Sequence, residues 1–167
     1  MSAVSLRLVE PHESALIFSF LTLAARMAES GEPIQKALSD KQLTKYWQRW
    51  GQPSDLGVVA VRSSDGVAIS CAWLRQLPAD DAGFVAEGVL ELAIGTVDGE
   101  RGRGVGRQVL AHLLELARER ARGISLSVRA DNPAVRLYQA FGFQTTAELT
   151  NRVGTRSLSM MLAFQAQ

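Results

Sequence analysis

Apolar residues change their period several times along this chain, and each change marks an element. Ser5–Val9 ("SLRLV") alternates polar and apolar positions and predicts a first strand. Pro11 breaks it. His12–Ala28 follows with leucines and phenylalanines on one broad face, which predicts a helix. "ESGEPI", Glu29–Ile34, is a turn-rich gap, and Asp40–Trp50 reads as a second helix ended by Gly51 and Pro53. Leu56–Val61 and Val67–Leu74 are strands joined by "SSDG", a hairpin signal. A polar loop, "PADDAG", leads on to Val89–Val97 ("VLELAIGTV"). That run is almost continuously apolar, as a central strand covered on both faces would be.

Further on, Val105, Val109, Leu113 and Leu116 or Ala117 fall at helical spacing, with Leu110 and Leu114 beside them. Gly123 is expected to end that helix. Ile124–Val128 predicts another strand. Asn132 reads as an N-cap with Pro133 at the first helical position, and Gly142 closes this short helix. Phe143–Glu148 and Ser157–Phe164 make a final strand pair. The strands at 89–97 and 124–128 are separated by one helix, so they should be parallel, with a right-handed crossover. No repeat or low-complexity tract interrupts the pattern, and residues 1–167 read as a single domain.

Composition narrows the function classes. The formal net charge of +1 offers no basic field for nucleic acid. One cysteine, Cys71, excludes an internal disulfide, and with only His12 and His112 beside it the chain makes a poor zinc set. No metal is expected. The apolar run Ala15–Ala28 is broken by Ser19, Thr22 and Arg26 and is too short to span a bilayer, so no membrane role is expected. Glu10 and Glu13 stand where a signal peptide would be basic, and the cytoplasm is the expected compartment.

The candidate chemistry begins at "RGRGVG", Arg101–Gly106, where three glycines alternate with other residues just before the long helix. Glycines this dense weaken a helix, so a bare backbone is wanted here. A strand that turns into a helix through glycines presents free amides and the positive end of the helix dipole, a site for phosphate. Arg101, Arg103 and Arg107 add charge suited to a polyphosphate. The spacing Gly102, Gly104, Gly106 fails the dinucleotide fingerprint, and no Gly-Lys-Ser/Thr is present for a Walker loop. The competing reading is a tight turn that packs a helix close to a sheet.

The wider context of the loop favours one of these. "ELAIGTVDGERGRGVGRQVL" resembles the signature of the GNAT superfamily of acyl-CoA-dependent N-acyltransferases, in which Arg/Gln-x-x-Gly-x-Gly/Ala opens a helix after a strand. Arg101, Gly104 and Gly106 hold those places. "NPAVRLYQAFGF" resembles the family's second motif through Asn132, Leu137, Tyr138, Gly142 and Phe143. The likeness is specific from Val89 to Phe143, roughly a third of the chain, and topological before that. Asp98 stands where family members often carry proline. The resemblance implies an α/β fold: a mixed, mostly antiparallel sheet with a parallel central pair, flanked by about four helices. It also implies acetyl-CoA, or another acyl-CoA, as co-substrate. The pyrophosphate would rest on Arg101, Gly102, Arg103, Gly104, Val105, Gly106 and Arg107, the pantetheine would pair with the backbone at Ile94 and Thr96, and an amide near Ile94 would face the thioester carbonyl. Gly95 would mark a bulge in that strand. Asn132 would contact the cofactor, cap its helix, or both.

Amine acylation by a thioester needs an unprotonated amine, a stabilised oxyanion and a proton for the leaving thiolate. Tyr138 fits the proton donor by the resemblance; otherwise it is a core aromatic on a face with Ala134, Leu137 and Phe141. Glu91, a carboxylate in an apolar strand, is the candidate base, with Glu87 as competitor and a plain ion pair as the alternative. Tyr46, Trp47 and Trp50 read as core, in a region that shapes the acceptor site in this family. Met27–Leu43 carries Glu29, Glu32 and Asp40, which could draw a cationic amine. The expected partners are thus acyl-CoA and an amine acceptor, with a homodimer compatible. Two other classes stand beside the enzyme: a non-catalytic CoA-sensing module of the same fold, and a nucleotide-binding protein of another fold.

Overall fold

The computed structural model describes residues 3–165. Its elements run β1 (Val4–Leu8), α1 (Ser14–Ala24), α2 (Lys36–Ser39), α3 (Lys41–Thr44), β2 (Leu56–Arg62), β3 (Ala68–Arg75), β4 (Val89–Thr96), α4 (Val105–Ala117), β5 (Gly123–Arg129), α5 (Ala134–Ala140), β6 (Gln144–Thr150) and β7 (Arg156–Ala163). Hydrogen bonding joins the strands in the order β1-β2-β3-β4-β5-β7-β6. β1–β2, β2–β3, β5–β7 and β6–β7 are antiparallel, whereas β4 and β5 are parallel, as their separation by one helix requires. This is the mixed α/β sheet with one parallel pair that the sequence leads one to expect.

The chain forms two compact units. One holds the chain up to Arg75 together with Ala93–Ala117; the other holds Gln76–Leu92 and the chain from Arg118 onward. β4 contributes to both.

In the first unit, α1 buries Ile17, Phe20 and Leu21 in a core with Val59, Cys71 and Trp73. The helix is shorter than its periodicity suggests. It stops at Ala24 because Arg26 takes φ 52°, in the left-handed region. The chain then folds back through turns, and Met27 is still buried, with its amide donating to the Thr22 carbonyl at 3.2 Å.

Of the single helix expected over 40–50 only α3 forms, followed by irregular chain, and a separate four-residue helix, α2, precedes it. Asp40 breaks them apart with ψ 119°, and its side chain accepts from the Gln42 amide. Tertiary bonds then override helical propensity. Trp47 Nε1 donates to the Ala37 carbonyl, Trp50 Nε1 to that of Glu10, and Trp73 Nε1 to that of Tyr46. Arg75, only 7% exposed, donates to the Lys45, Gln48 and Arg49 carbonyls and forms a forked pair with Asp55 at 3.0 and 3.2 Å. These carbonyls would continue a helix if Arg75 did not claim them. The aromatic cluster accordingly packs as core, with Phe18 and Trp47 edge to face at 5.1 Å.

In the second unit, β7 lies between β5 and β6, and every residue of β6 is exposed. Gly123 does not end α4, which stops at Ala117; it opens β5. A Cβ there would approach the Leu162 carbonyl oxygen of β7 to 2.8 Å, so strand packing and not helix capping selects glycine.

Candidate active site

The loop Arg101–Gly104 leads from β4 into α4, which buries Val105, Val109, Leu110, Leu113, Leu114 and Ala117 along one stripe. Gly102 and Gly104 have φ +75° and +85°, and a Cβ at either would meet nothing within 4 Å. The loop is therefore left-handed at two points and open on the side where side chains would stand. Among the described residues, no hydrogen bond is donated by the amides of Gly102, Arg103, Gly104, Val105 or Gly106. These are the orphan donors of a helix N-terminus, held in a concave turn.

Gly106 differs from the other two. It lies in α4 with ordinary φ, and a Cβ would sit 3.5 Å from Thr96 Oγ1 and 3.8 Å from Ile94 Cδ1. Cradle and strand thus meet at Ile94, Thr96 and Gly106. The Thr96 hydroxyl is held by Ser70, whose Oγ lies 2.9 Å from Thr96 Oγ1 and also donates to the Gly95 carbonyl. Close packing on α1 requires glycine at position 95: a Cβ would lie 2.6 Å from the Phe20 carbonyl oxygen.

The arginines are already engaged in part. Arg101 pairs with Glu29 at 3.1 Å and lies 3.6 Å from Asp98, while Arg103 lies 4.0 Å from Glu100. Glu32 lies 3.8 Å from Lys36, and Asp40 caps α3. All three carboxylates that the sequence offers for a cationic acceptor thus have partners within the chain. Thr22, Leu23, Ala28, Glu29, Asp98 and Arg101 line a cavity of about 270 Å³.

The other candidate residues lie in the second unit. Glu91 is 4% exposed, and its Oε2 accepts from the Ser125 hydroxyl at 3.0 Å. The parallel register places these two residues opposite each other. Glu87, its competitor, is exposed just before β4, where its carbonyl accepts from Arg122. Tyr138 on α5 is 5% exposed, and its ring meets Phe143 edge to face at 5.8 Å. Burial pushes its phenol well above the ordinary value, so it stays protonated across the neutral range. Among the described residues its hydroxyl makes no hydrogen bond. Asn132 Oδ1 accepts from the Ala134 amide at 2.9 Å, which is the capping role.

Sequence reasoning missed Ser70, Ser125, Glu29 as the partner of Arg101, and the Arg75 clamp. All four act through residues distant in sequence, and no local pattern announces such pairs. Cys71 is fully buried, and desolvation raises its thiol far above the ordinary range, as expected for a packing residue. Among the described residues, no group of three metal-ligating side chains occurs, and no helix is long and apolar enough to cross a membrane.

A mixed sheet with one parallel pair, and an open glycine loop at the start of the crossover helix, define an α/β protein with unengaged amides at that helix N-terminus. A sequence profile of the Acetyltransferase (GNAT) family matches residues 22–143, and the chain belongs to that family. Solved structures share its fold. A GCN5-related N-acetyltransferase from Kribbella flavida is 24% identical, with TM-score 0.70, over 97% of this chain and 98% of that one. The yncA protein of Salmonella typhimurium, solved with its cofactor acetyl-CoA, is 19% identical, with TM-score 0.68, over 99% and 96%. A ribosomal-protein-alanine N-acetyltransferase from Brucella melitensis is 20% identical, with TM-score 0.69, over 96% and 99%. No curated protein sequence matches the chain.

Proposed function

We propose that the chain transfers an acetyl or related acyl group from acyl-CoA to a primary amine, by direct attack with both substrates bound. The observation that carries this reading is the cradle: two left-handed glycines with open space at their Cβ positions and five undirected amides at the start of α4. That geometry suits a pyrophosphate, and family membership makes acyl-CoA its source. The Salmonella relative's acetyl-CoA supports the same choice.

Each residue then has a task. The amides of Arg101 to Arg107 hold the pyrophosphate, the backbone at Ile94 and Thr96 pairs with the pantetheine, and Ser70 fixes the Thr96 side chain beside it. The amide near Ile94 stabilises the oxyanion that develops on the thioester carbonyl. Glu91 takes the proton that the amine nitrogen loses as the N–C bond forms. Tyr138 donates to the sulfur as the C–S bond breaks, since a phenol carries its proton at neutral pH. Asn132 fixes the start of α5 and, with it, Tyr138.

Release of free thiol from acetyl-CoA across a panel of primary amines, with mass spectrometry of the product, tests the proposal. An N-acylated product supports it. Tight acetyl-CoA binding with no thiol release from any amine would turn the reading to a CoA-sensing module.

A further inference from the structure

The segment after α1 supplies the partner of the first arginine of the cradle. Glu29 Oε1 accepts from Arg101 Nη1 at 3.1 Å across 72 residues of sequence. Arg101 Nε donates to the Thr96 carbonyl at 3.3 Å, and Nη2 lies 3.6 Å from Asp98 Oδ1. All three guanidinium nitrogens are therefore engaged within the chain. Burial opposes ionisation of Glu29, but its own backbone amide and the Arg101 guanidinium outweigh it and hold the carboxyl below its ordinary value. The two side chains are 38% and 42% exposed and line the same cavity. They can part without unpacking the core.

We propose that Glu29 stands in for a cofactor phosphate: it occupies Arg101 in the free chain, yields when a phosphate reaches the cradle, and so sets the affinity for phosphate-bearing cofactors. The proposal rests on the cradle reading above. A guanidinium fork fits carboxylate and phosphate alike, and the same N–H groups cannot serve both at full strength. A phosphate that arrives while Glu29 is in place also meets a like charge. Exchange between two exposed partners of similar chemistry carries a small penalty, so the effect is a modest factor and not a block. Asp98 keeps a second carboxylate near Arg101 throughout, so the guanidinium stays oriented when Glu29 leaves.

Calorimetric titration of the full chain with free CoA reads this directly, in the wild type, Glu29→Gln, Arg101→Gln and the double variant. Glu29→Gln should tighten CoA binding by about two- to fivefold at low ionic strength. The gain should shrink as salt rises toward about 1 M, where screening shortens to a few ångströms. Arg101→Gln should weaken binding, and on that background Glu29→Gln should add nothing. If Arg101→Gln does not fold, Arg101→Lys, which keeps the charge and loses the fork, should reduce the Glu29 effect. An equal gain from Glu29→Gln with and without Arg101 would overturn the exchange and leave only a general repulsion. No gain in the wild-type background would overturn it as well. Failure of wild-type chain to bind CoA would sink the cradle reading and this proposal together, whereas the other two outcomes leave the cradle standing.

Discussion

The Ser125 hydroxyl donates to Glu91 Oε2 at 3.0 Å, from the strand opposite, with both residues buried. A carboxylate inside an apolar strand is expensive unless its oxygens are satisfied. Ser125 supplies one such bond. Glu91→Gln keeps the shape and can still accept from Ser125, so it separates charge from structure. We expect the variant to fold, to bind CoA with unchanged affinity, and to lose about 10²-fold in kcat, in the usual range for general base catalysis. Steady-state kinetics beside a CoA titration checks this. Wild-type turnover would reduce Glu91 to a structural carboxylate.

Tyr138 is the second catalytic proposal. Burial holds its phenol protonated, and among the described residues its hydroxyl has no hydrogen-bond partner to lose. Tyr138→Phe should therefore leave stability and CoA affinity nearly unchanged, because the ring and its contact with Phe143 remain. Turnover should fall by about 10²-fold or more with a good acceptor. A Phe variant as active as the wild type, where chemistry limits the rate, would leave Tyr138 a core residue only.

Two buried acids make stability fall at alkaline pH. Desolvation raises the Cys71 thiol, with Glu13 adding to it and Arg7 opposing, and desolvation raises the Tyr138 phenol. Both groups keep their protons in the native state beyond the pH at which the unfolded chain releases them, at about 8.5 for Cys and about 10 for Tyr. The stabilisation is complete below those values and is lost as pH rises toward the native pKa values. One retained proton gives a slope approaching about 1.4 kcal/mol per pH unit. Urea unfolding between pH 8 and 10 should show a decline that Cys71→Ala largely removes, since Tyr138 contributes only above that range. An identical pH slope in the Ala variant would contradict the thiol assignment.

The parallel β4–β5 pair, the β2–β3 hairpin and the glycine cradle were legible in sequence because each is written locally: an apolar run, a turn signal, a glycine spacing. The Asn132 cap was legible for the same reason. The region from Asp40 to Trp50 was not. Its periodicity favours one helix, but Arg75 takes the Lys45, Gln48 and Arg49 carbonyls and the Trp73 indole takes that of Tyr46, and side chains some 30 residues away leave no local trace. The site divides in the same way. The cradle backbone follows from sequence, whereas the hydrogen-bond partners of the candidate residues (Ser70 on Thr96, Glu29 on Arg101, Ser125 on Glu91) follow only from tertiary placement.

Gly106 tests the cradle by separating stability from affinity. Unlike Gly102 and Gly104 it does not lie in the left-handed region, and it sits in the first turn of α4. Glycine in a helix costs up to about 1 kcal/mol relative to alanine. The contacts an added Cβ would make, at 3.5 Å to Thr96 and 3.8 Å to Ile94, are ordinary van der Waals distances. Nothing in the free chain therefore requires glycine there. Gly106→Ala should raise Tm by about 2–4 °C, the shift expected for that free energy in a domain of this size. The family's motif admits alanine at this place, so the CoA affinity of Gly106→Ala should be nearly unchanged. Gly106→Leu, whose longer side chain would enter the space beside Ile94 and Thr96 that the pantetheine is proposed to use, should weaken CoA binding by about tenfold or more, as overlap with a close-packed ligand implies. Thermal melts and calorimetry on the same samples give both readings. A folded Leu variant that binds CoA as well as the wild type would show that the space at position 106 serves no ligand.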